Sequence, residues 1–173
     1  MFNKYQVYKD KILNKSFVTE AYMRICIGGT FNTLHKGHRV LLDKAFEKAG
    51  KNGTVYIGLS EGDLVKKKKY LKPLTERKKA LEDYLLSKGY DKQSMIIPIH
   101  NKYGITLDED FDLIIISPET KKIAEEINAK RKSMGKKPIL IELVPYVLAK
   151  DNKPISSTRI LNKEIDREGN LLS

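Results

Sequence analysis

Cysteine is almost missing from this chain of 173 residues, and its scarcity excludes two kinds of site. Cys26 is the only one, so the chain forms neither an internal disulfide nor a cysteine-based metal site. Because Cys26 lies in an apolar run, we expect it to be a small buried side chain. A chain with a single thiol fits a reducing cytosol.

Long hydrophobic runs are also missing. The longest apolar stretch runs from Leu143 to Ala149, far short of the roughly 20 residues that cross a bilayer. Residues 1–22 are charged throughout and lack the apolar core of a signal peptide. We therefore predict a cytoplasmic protein without a membrane partner, and an N-terminal extension of unclear structure over residues 1–22.

Acidic residues are outnumbered, with 22 Asp and Glu against 33 Lys and Arg, a net charge of +11. Residues 63–79 hold eight basic and two acidic residues, so +6 of that charge is local. Such a patch favours an anionic partner, and its confinement favours a phosphorylated small molecule over a generally adhesive surface. The alternative is a solvated, lysine-rich surface of a heat-adapted protein.

The order of the segments predicts the fold class. Five short apolar runs, RICIGG, TVYIGLS, SMIIPIH, DLIIIS and PILIEL, alternate with helical patterns. Continuous apolar runs are typical of strands buried on both faces. We predict an α/β fold: a Rossmann-like, doubly wound parallel sheet of about five strands. No repeat, low-complexity linker or second domain interrupts it, so residues 23–173 form one domain.

Four stretches predict helices. Residues 37–49 place apolar side chains at helical spacing. Thr75 is the expected N-cap of the next helix, and Pro118 and Gly135 bracket the third. The stretch SSTRILNKEID predicts a closing helix with a serine cap.

The stretch GGTFNTLHKGH joins the first strand to the first helix. Ligands of open parallel sheets bind beyond the carboxyl ends of the strands. We expect Gly28 and Gly29 to permit a sharp turn and a close ligand approach. We also expect free N–H groups at the helix start to bind an anion. This segment is therefore the predicted phosphate site.

Three side chains of that stretch suit phosphate. Thr30 offers a hydroxyl and an N–H, and the rings of His35 and His38 can donate N–H bonds. The stretch is neither a Walker loop nor a G-x-G-x-x-G fingerprint. The two histidines could instead bind a metal, but neither an H-E-x-x-H motif nor a cysteine cluster supports that. We name no protein-held metal.

Two stretches carry a resemblance to a known family. GGTFNTLHKGH resembles the G-T-F-D-x-x-H-x-G-H signature of the nucleotidyltransferase superfamily. About 120 residues downstream, KPISSTRI resembles its I-S-S-T-x-x-R signature. SPETKKIAEEINAKR and VLAKDNKPISSTRILNKEIDREG look like the archaeal phosphopantetheine adenylyltransferases, and the likeness runs from about Arg24 to Gly169. The resemblance implies that ATP and 4′-phosphopantetheine give dephospho-coenzyme A and pyrophosphate in coenzyme A biosynthesis.

The resemblance also implies the roles of residues. It places His35 and His38 on the phosphates of ATP, and Thr30 between the accepting phosphate and the α-phosphate. One cation near the reacting phosphates comes from four adjacent lysines: Lys66, Lys67, Lys68 and Lys69. The implied nucleotide-binding residues lie in three parts of the chain: Gly28, Gly29, Phe31, Arg131, Ser156, Ser157, Thr158 and Arg159. Without the histidine motif, the serines would be a plain N-cap.

The implied reaction matches these residue types. The accepting phosphate monoester has a second pKa of about 6, so it is largely ionised at neutral pH and needs no general base. What remains is to align two polyanions and to neutralise charge on the leaving group. We expect Mg²⁺ with the ATP, bound mostly by substrate and water oxygens.

The chain departs from the family signatures at two positions. Asn32 stands where the family usually has Asp, which keeps an acceptor oxygen but loses a charge. Leu161 stands where the second signature has its arginine, and Arg159 lies two positions earlier. We expect any phosphate contact of that arginine to be lost or to pass to Arg159.

Other functions stay open. An FAD synthetase, a nicotinamide mononucleotide adenylyltransferase or a glycerol-phosphate cytidylyltransferase would share the fold and the histidine motif. A basic nucleic-acid-binding domain would explain the charge of +11 but not the histidine pair, and no motif of that kind is present. We expect small-molecule substrates and no nucleic acid, and the sequence is compatible with a homo-oligomer.

Overall fold

The computed structural model describes residues 22–68 and 70–172. The predicted N-terminal extension lies outside them except for Tyr22, so it stays a prediction. Lys69, one of the four candidate cations, also lies outside the described residues.

A five-stranded sheet forms the centre of the molecule. The strands are β1 (Arg24–Gly29), β2 (Thr54–Ser60), β3 (Ser94–Ile99), β4 (Leu113–Ile116) and β5 (Leu140–Leu143). Their order is β3-β2-β1-β4-β5, and every neighbouring pair is parallel. The central strands are apolar because both faces of the sheet are covered, and all four residues of β4 are buried. The predicted fold class is confirmed.

Helices cover both faces of the sheet. They are α1 (Lys36–Ala49), α2 (Leu74–Lys88), α3 (Lys121–Ser133) and the short α4 (Ser157–Leu161). On one face, Leu42 and Phe46 of α1 and Leu81 of α2 join the main core. On the other, Ala124 and Ile127 of α3 form a second core that includes Cys26. Burial raises the pKa of the Cys26 thiol to about 12, as expected for an inert core residue.

Two helix predictions need correction. Thr75 is not an N-cap, because α2 already begins at Leu74 and Pro73 occupies the cap position. The closing helix is also shorter than predicted, since α4 ends at Leu161. Lys163 has a φ of 60°, in the left-handed region, and this conformation stops a right-handed helix.

The residues after β5 form a small third core of Ala149, Ile155 and Ile165. From there the chain returns to α1, where the N–H of Lys36 donates to the carbonyl of Arg167 at 3.0 Å. The Ser157 hydroxyl also donates to the carbonyl of Thr33, so the second signature lies beside the first. No helix in residues 22–68 and 70–172 is long and apolar enough to span a bilayer.

Candidate active site

A cavity of about 1120 Å³ opens at the carboxyl ends of the strands. Its wall includes most of the residues predicted to bind phosphates: Gly28, Gly29, Thr30, Phe31, His35, His38, Lys67, Lys68, Ser156, Ser157 and Thr158. The two signatures, distant in sequence, therefore face one cavity. Its volume is slightly above the range of about 300–1,000 Å³ that is usual for small-molecule sites, which suits two substrates together.

The glycines at the end of β1 do not make the predicted turn. Gly28 and Gly29 both lie inside the strand, and the left-handed conformation falls on Phe31, with a φ of 47°. A Cβ at position 29 would lie 3.0 Å from Cε2 of Phe31. A side chain at this position would crowd the buried Phe31 ring, which packs against the strand.

His35 is the N-cap of α1 and is 6% exposed. Its Nδ1 accepts a bond from the N–H of His38 at 3.4 Å, and the two rings stack with centroids 3.8 Å apart. A Cβ at Gly37 would lie 3.1 Å from the His35 ring. The glycine between the histidines lets the first ring fold over the start of the helix.

The hydrogen bonds fix a different tautomer for each ring. Since Nδ1 of His35 accepts, the proton of the neutral ring lies on Nε2. Nδ1 of His38 lies 3.1 Å from the carbonyl of Thr33, which can only accept, so this nitrogen carries the proton. A neutral His35 therefore donates through Nε2, whereas His38 donates through Nε2 only as an imidazolium.

Both rings are neutral in the unliganded site. The pKa of His35 is lowered to about 3, chiefly by burial and also by the charges of His38 and Arg39. The pKa of His38 is lowered to about 4, chiefly by burial and also by the charge of Lys68, while the bond to Thr33 acts in the opposite direction. A bound polyanion would favour the protonated rings and raise both pKa values.

The helix start is only in part the anion site expected from the sequence. The N–H of Lys36 donates to Arg167, that of His38 to the His35 ring, and that of Arg39 to the carbonyl of His35. These N–H groups already have acceptors. Among the described residues the N–H of Gly37, which lines the cavity, has no such acceptor. Anion binding in this segment therefore falls to this N–H and to the side chains of Thr30, His35 and His38.

The structure separates the described lysines of the candidate run. Lys66 pairs with Asp63 and its side chain is 72% exposed. Lys67 and Lys68 line the cavity, and Lys68 is near enough to His38 to lower its pKa. The expectation for Lys66 is therefore not supported, and Lys68 is the best-placed of the described three.

The structure contradicts a nucleotide contact for Arg131. Its side chain is 1% exposed and does not line the cavity. The guanidinium bonds the carbonyls of Lys137, Thr106 and Glu109 and the carboxylate of Asp110, the last at 2.7 Å. Arg131 ties α3 to the segment before β4, because its planar donors fit several carbonyls at once.

The phosphate role does not pass to Arg159 either. Its guanidinium pairs with Asp151 at 2.6 Å and Glu164 at 3.0 Å, outside the cavity wall. The bond to Arg159 holds the pKa of the Asp151 carboxyl below its usual range. Leu161, in the place of the family arginine, does line the cavity.

The three residues of the second signature differ in their contacts. Ser156 caps α4, and its Oγ accepts from the N–H of Arg159 at 3.3 Å, as the plain N-cap alternative expected. The Ser157 hydroxyl donates only a long bond, 3.4 Å, to the carbonyl of Thr33. Thr158 lines the cavity beside them. Ser157 and Thr158 are thus the better candidates for phosphate binding.

Sequence reasoning missed the apolar part of the cavity wall. It comes from β2, β3, the segment after β3 and α3, and includes Tyr56, Ile97, Ile99, Tyr103, Ile105 and Ile123. One signal was available. Gly58 interrupts an apolar strand, and a Cβ there would lie 3.2 Å from Ile99.

The chain is similar to known proteins over most of its length. Residues 26–163 match the family model described as cytidylyltransferase-like. The chain is 44% identical to a phosphopantetheine adenylyltransferase of Methanosarcina mazei, covering 86% of this chain and 96% of that protein. It is 40% identical to that of Archaeoglobus fulgidus, covering 87% and 100%.

A solved structure agrees. A protein of unknown function from Archaeoglobus fulgidus is 36% identical, with a TM-score of 0.65 over 70% of this chain and 89% of that one. Fold, site and sequence similarity lead to one assignment: the chain belongs to the archaeal phosphopantetheine adenylyltransferase family of cytidylyltransferase-like nucleotidyltransferases.

Proposed function

We propose that the protein transfers the adenylyl group of ATP to 4′-phosphopantetheine, giving dephospho-coenzyme A and pyrophosphate. One observation carries this proposal. The stacked histidines, Lys68 and the start of α4 face the same cavity, and the rest of its wall is largely apolar. Polar groups suit the phosphates of both substrates, and apolar groups suit the pantetheine arm.

The reaction exchanges one phosphorus–oxygen bond for another. A phosphate oxygen of 4′-phosphopantetheine attacks the α-phosphorus of ATP. The bond from that phosphorus to the oxygen bridging to the β-phosphate breaks, and its electron pair leaves with pyrophosphate. The nucleophile is already an anion at neutral pH, so no residue has to remove a proton from it.

The protein side chains stabilise the moving charge. His35 donates through Nε2 while neutral. His38 becomes a second donor once the polyanion raises its pKa, and Lys68 adds a compact positive charge. Thr30 lies between the histidines and the end of β1, where it can align the accepting and α-phosphates. Ser157 and Thr158 bind the β- and γ-phosphates.

Magnesium belongs to the nucleotide rather than to the protein in this proposal. Across the described residues, no three His, Cys, Asp or Glu side chains are grouped to hold a metal ion. Glu119 is the one carboxylate on the described wall of the cavity. These residues fit an ion that keeps phosphate and water oxygens as ligands. Bound there, Mg²⁺ would screen the triphosphate charge.

Product identification tests the proposal against its rivals. The purified protein is incubated with ATP, Mg²⁺ and one acceptor at a time: 4′-phosphopantetheine, flavin mononucleotide, nicotinamide mononucleotide or, with CTP, glycerol phosphate. Mass spectrometry should find dephospho-coenzyme A in the first reaction at a far higher rate than the product of any other. A faster reaction with another acceptor would move the protein to that activity within the same fold.

A further inference from the structure

Asn32 joins the histidine segment to the lysine loop, which is the stretch from Val65 to Pro73. The side chain is only 6% exposed. Its Nδ2 donates to the carbonyl of Tyr70 at 3.1 Å, and its Oδ1 accepts from the N–H of Lys72 at 2.7 Å. One amide group thus fixes two backbone groups at the end of the loop.

Arg77 also binds the end of the lysine loop. It lies in the first turn of α2 and is 2% exposed. Its Nε donates to the carbonyl of Lys72 at 2.9 Å, and its Nη1 donates to the carbonyls of Thr30 at 2.8 Å and Ser60 at 2.9 Å. Burial lowers the pKa of this guanidinium, so the charge is held there at a cost that the three carbonyl bonds offset.

Lys72 is therefore bound on both sides. Its N–H donates to Asn32, and its carbonyl accepts from Arg77. Arg77 also donates to the carbonyl of Thr30. We propose that Asn32 and Arg77 are positioning residues that hold the lysine loop over the cavity, so that Lys67 and Lys68 reach the reacting phosphates. The positioning rests on the contacts above; its catalytic consequence rests on the proposed function.

The same contacts explain why an amide stands at position 32. A carboxylate would keep the acceptor for Lys72 but would turn a second oxygen toward the carbonyl of Tyr70, where the amide now donates. Tyr70 has a φ of 54°, a strained conformation for a residue with a side chain, so it needs a fixed partner. The departure from the family aspartate matches the conformation of this loop.

The chain offers a matched control in Asn128. Its Nδ2 donates to the carbonyl of Ile139 at 2.8 Å, and its Oδ1 accepts from the N–H of Ile139 at 2.8 Å. This pair of amide hydrogen bonds has the same chemistry as that of Asn32, but it joins α3 to the residue before β5. Replacing Asn128 removes two equivalent bonds from the fold without touching the lysine loop.

The experiment compares Asn32→Ala, Asn32→Asp and Asn128→Ala by hydrogen–deuterium exchange and steady-state kinetics. Asn32→Ala should speed exchange of the Lys72 N–H by roughly tenfold, the effect of losing about one hydrogen bond, and Asn32→Asp should give an intermediate rate. Asn32→Ala should also lower kcat by about 100-fold, the effect of a displacement of about 1 Å, while KM for ATP changes little. Asn128→Ala should speed exchange only near Ile139 and leave kcat close to that of the wild type.

Arg77→Lys gives a second test, because it keeps the charge but cannot bond three carbonyls in the same way. It should loosen the loop and lower kcat as Asn32→Ala does. Unchanged loop exchange in Asn32→Ala, or equal loosening by Asn128→Ala, would overturn the positioning role. A loosened loop with normal kcat would overturn its catalytic consequence. If the wild type makes no dephospho-coenzyme A, the proposed function fails, and the exchange data still decide the positioning role.

Discussion

The buried histidine pair makes the fold sensitive to mild acid, and His35 allows the size of the effect to be worked out. Its pKa is about 3 in the folded protein, chiefly because of burial, against about 6.5 in an unfolded chain. Between these values the unfolded state binds more protons, so the stability contributed by the neutral ring is complete above pH 6.5 and falls as the pH drops. At pH 5, 1.5 units below the unfolded pKa, the loss is about 2 kcal/mol.

Urea denaturation at pH 7 and pH 5 measures this loss. We expect the free energy of unfolding of the wild type to fall by about 2 kcal/mol more than that of His35→Gln, which has no titrating group at this position. His38, with a pKa of about 4, contributes in the same direction, so His38→Gln serves as a parallel variant. Equal losses in the wild type and in both variants would show that the rings are not held neutral by the fold.

Three further predictions concern single side chains. His38→Ala should lower turnover by about 100- to 1,000-fold while ATP affinity, measured by calorimetry, changes far less; near-normal turnover would reject a transition-state role. Lys68→Ala should lower kcat steeply and Lys66→Ala only slightly, because Lys68 lines the cavity and Lys66 pairs with Asp63; equal minor effects that fade with salt would indicate a mere patch. Arg131→Met should lower the free energy of unfolding by about 3 kcal/mol, in thermal or urea melts, because three carbonyls lose their donor, while the KM for ATP of the folded fraction stays normal; a specific rise in KM would support a nucleotide contact.

The sheet could be predicted from the sequence because its signal is local. Each strand is a continuous apolar run, and burial on both faces leaves no polar alternation to confuse the pattern. The cap of α2 was predicted wrongly although its signal is also local. Thr75 is a good capping residue by type, but Pro73 already has the fixed φ that starts the helix.

The site was predictable only where a short motif carries it. His35 and His38 belong to such a motif, whereas Arg77 lies in the charged run TERKK and resembles any solvated helix residue. Its burial depends on the nearby carbonyl of Lys72 and on the more distant carbonyls of Ser60 and Thr30. The predicted nucleotide contacts of Arg131 and Arg159 were wrong because the sequence does not show the partners of these two side chains. In the structure both guanidinium groups are paired with carboxylates of the fold.

The bond from Lys36 to Arg167 makes the start of α1 depend on a segment far along the chain. The two residues are 131 positions apart (167 − 36), and closing so long a loop is a slow, non-local step. During synthesis the histidine pair leaves the ribosome early. The N–H of Lys36, at the start of its helix, can bond the carbonyl of Arg167 only after that later residue has been made. A nascent or partly folded chain therefore lacks a finished nucleotide site, and catalytic competence reports that the distant segments have met.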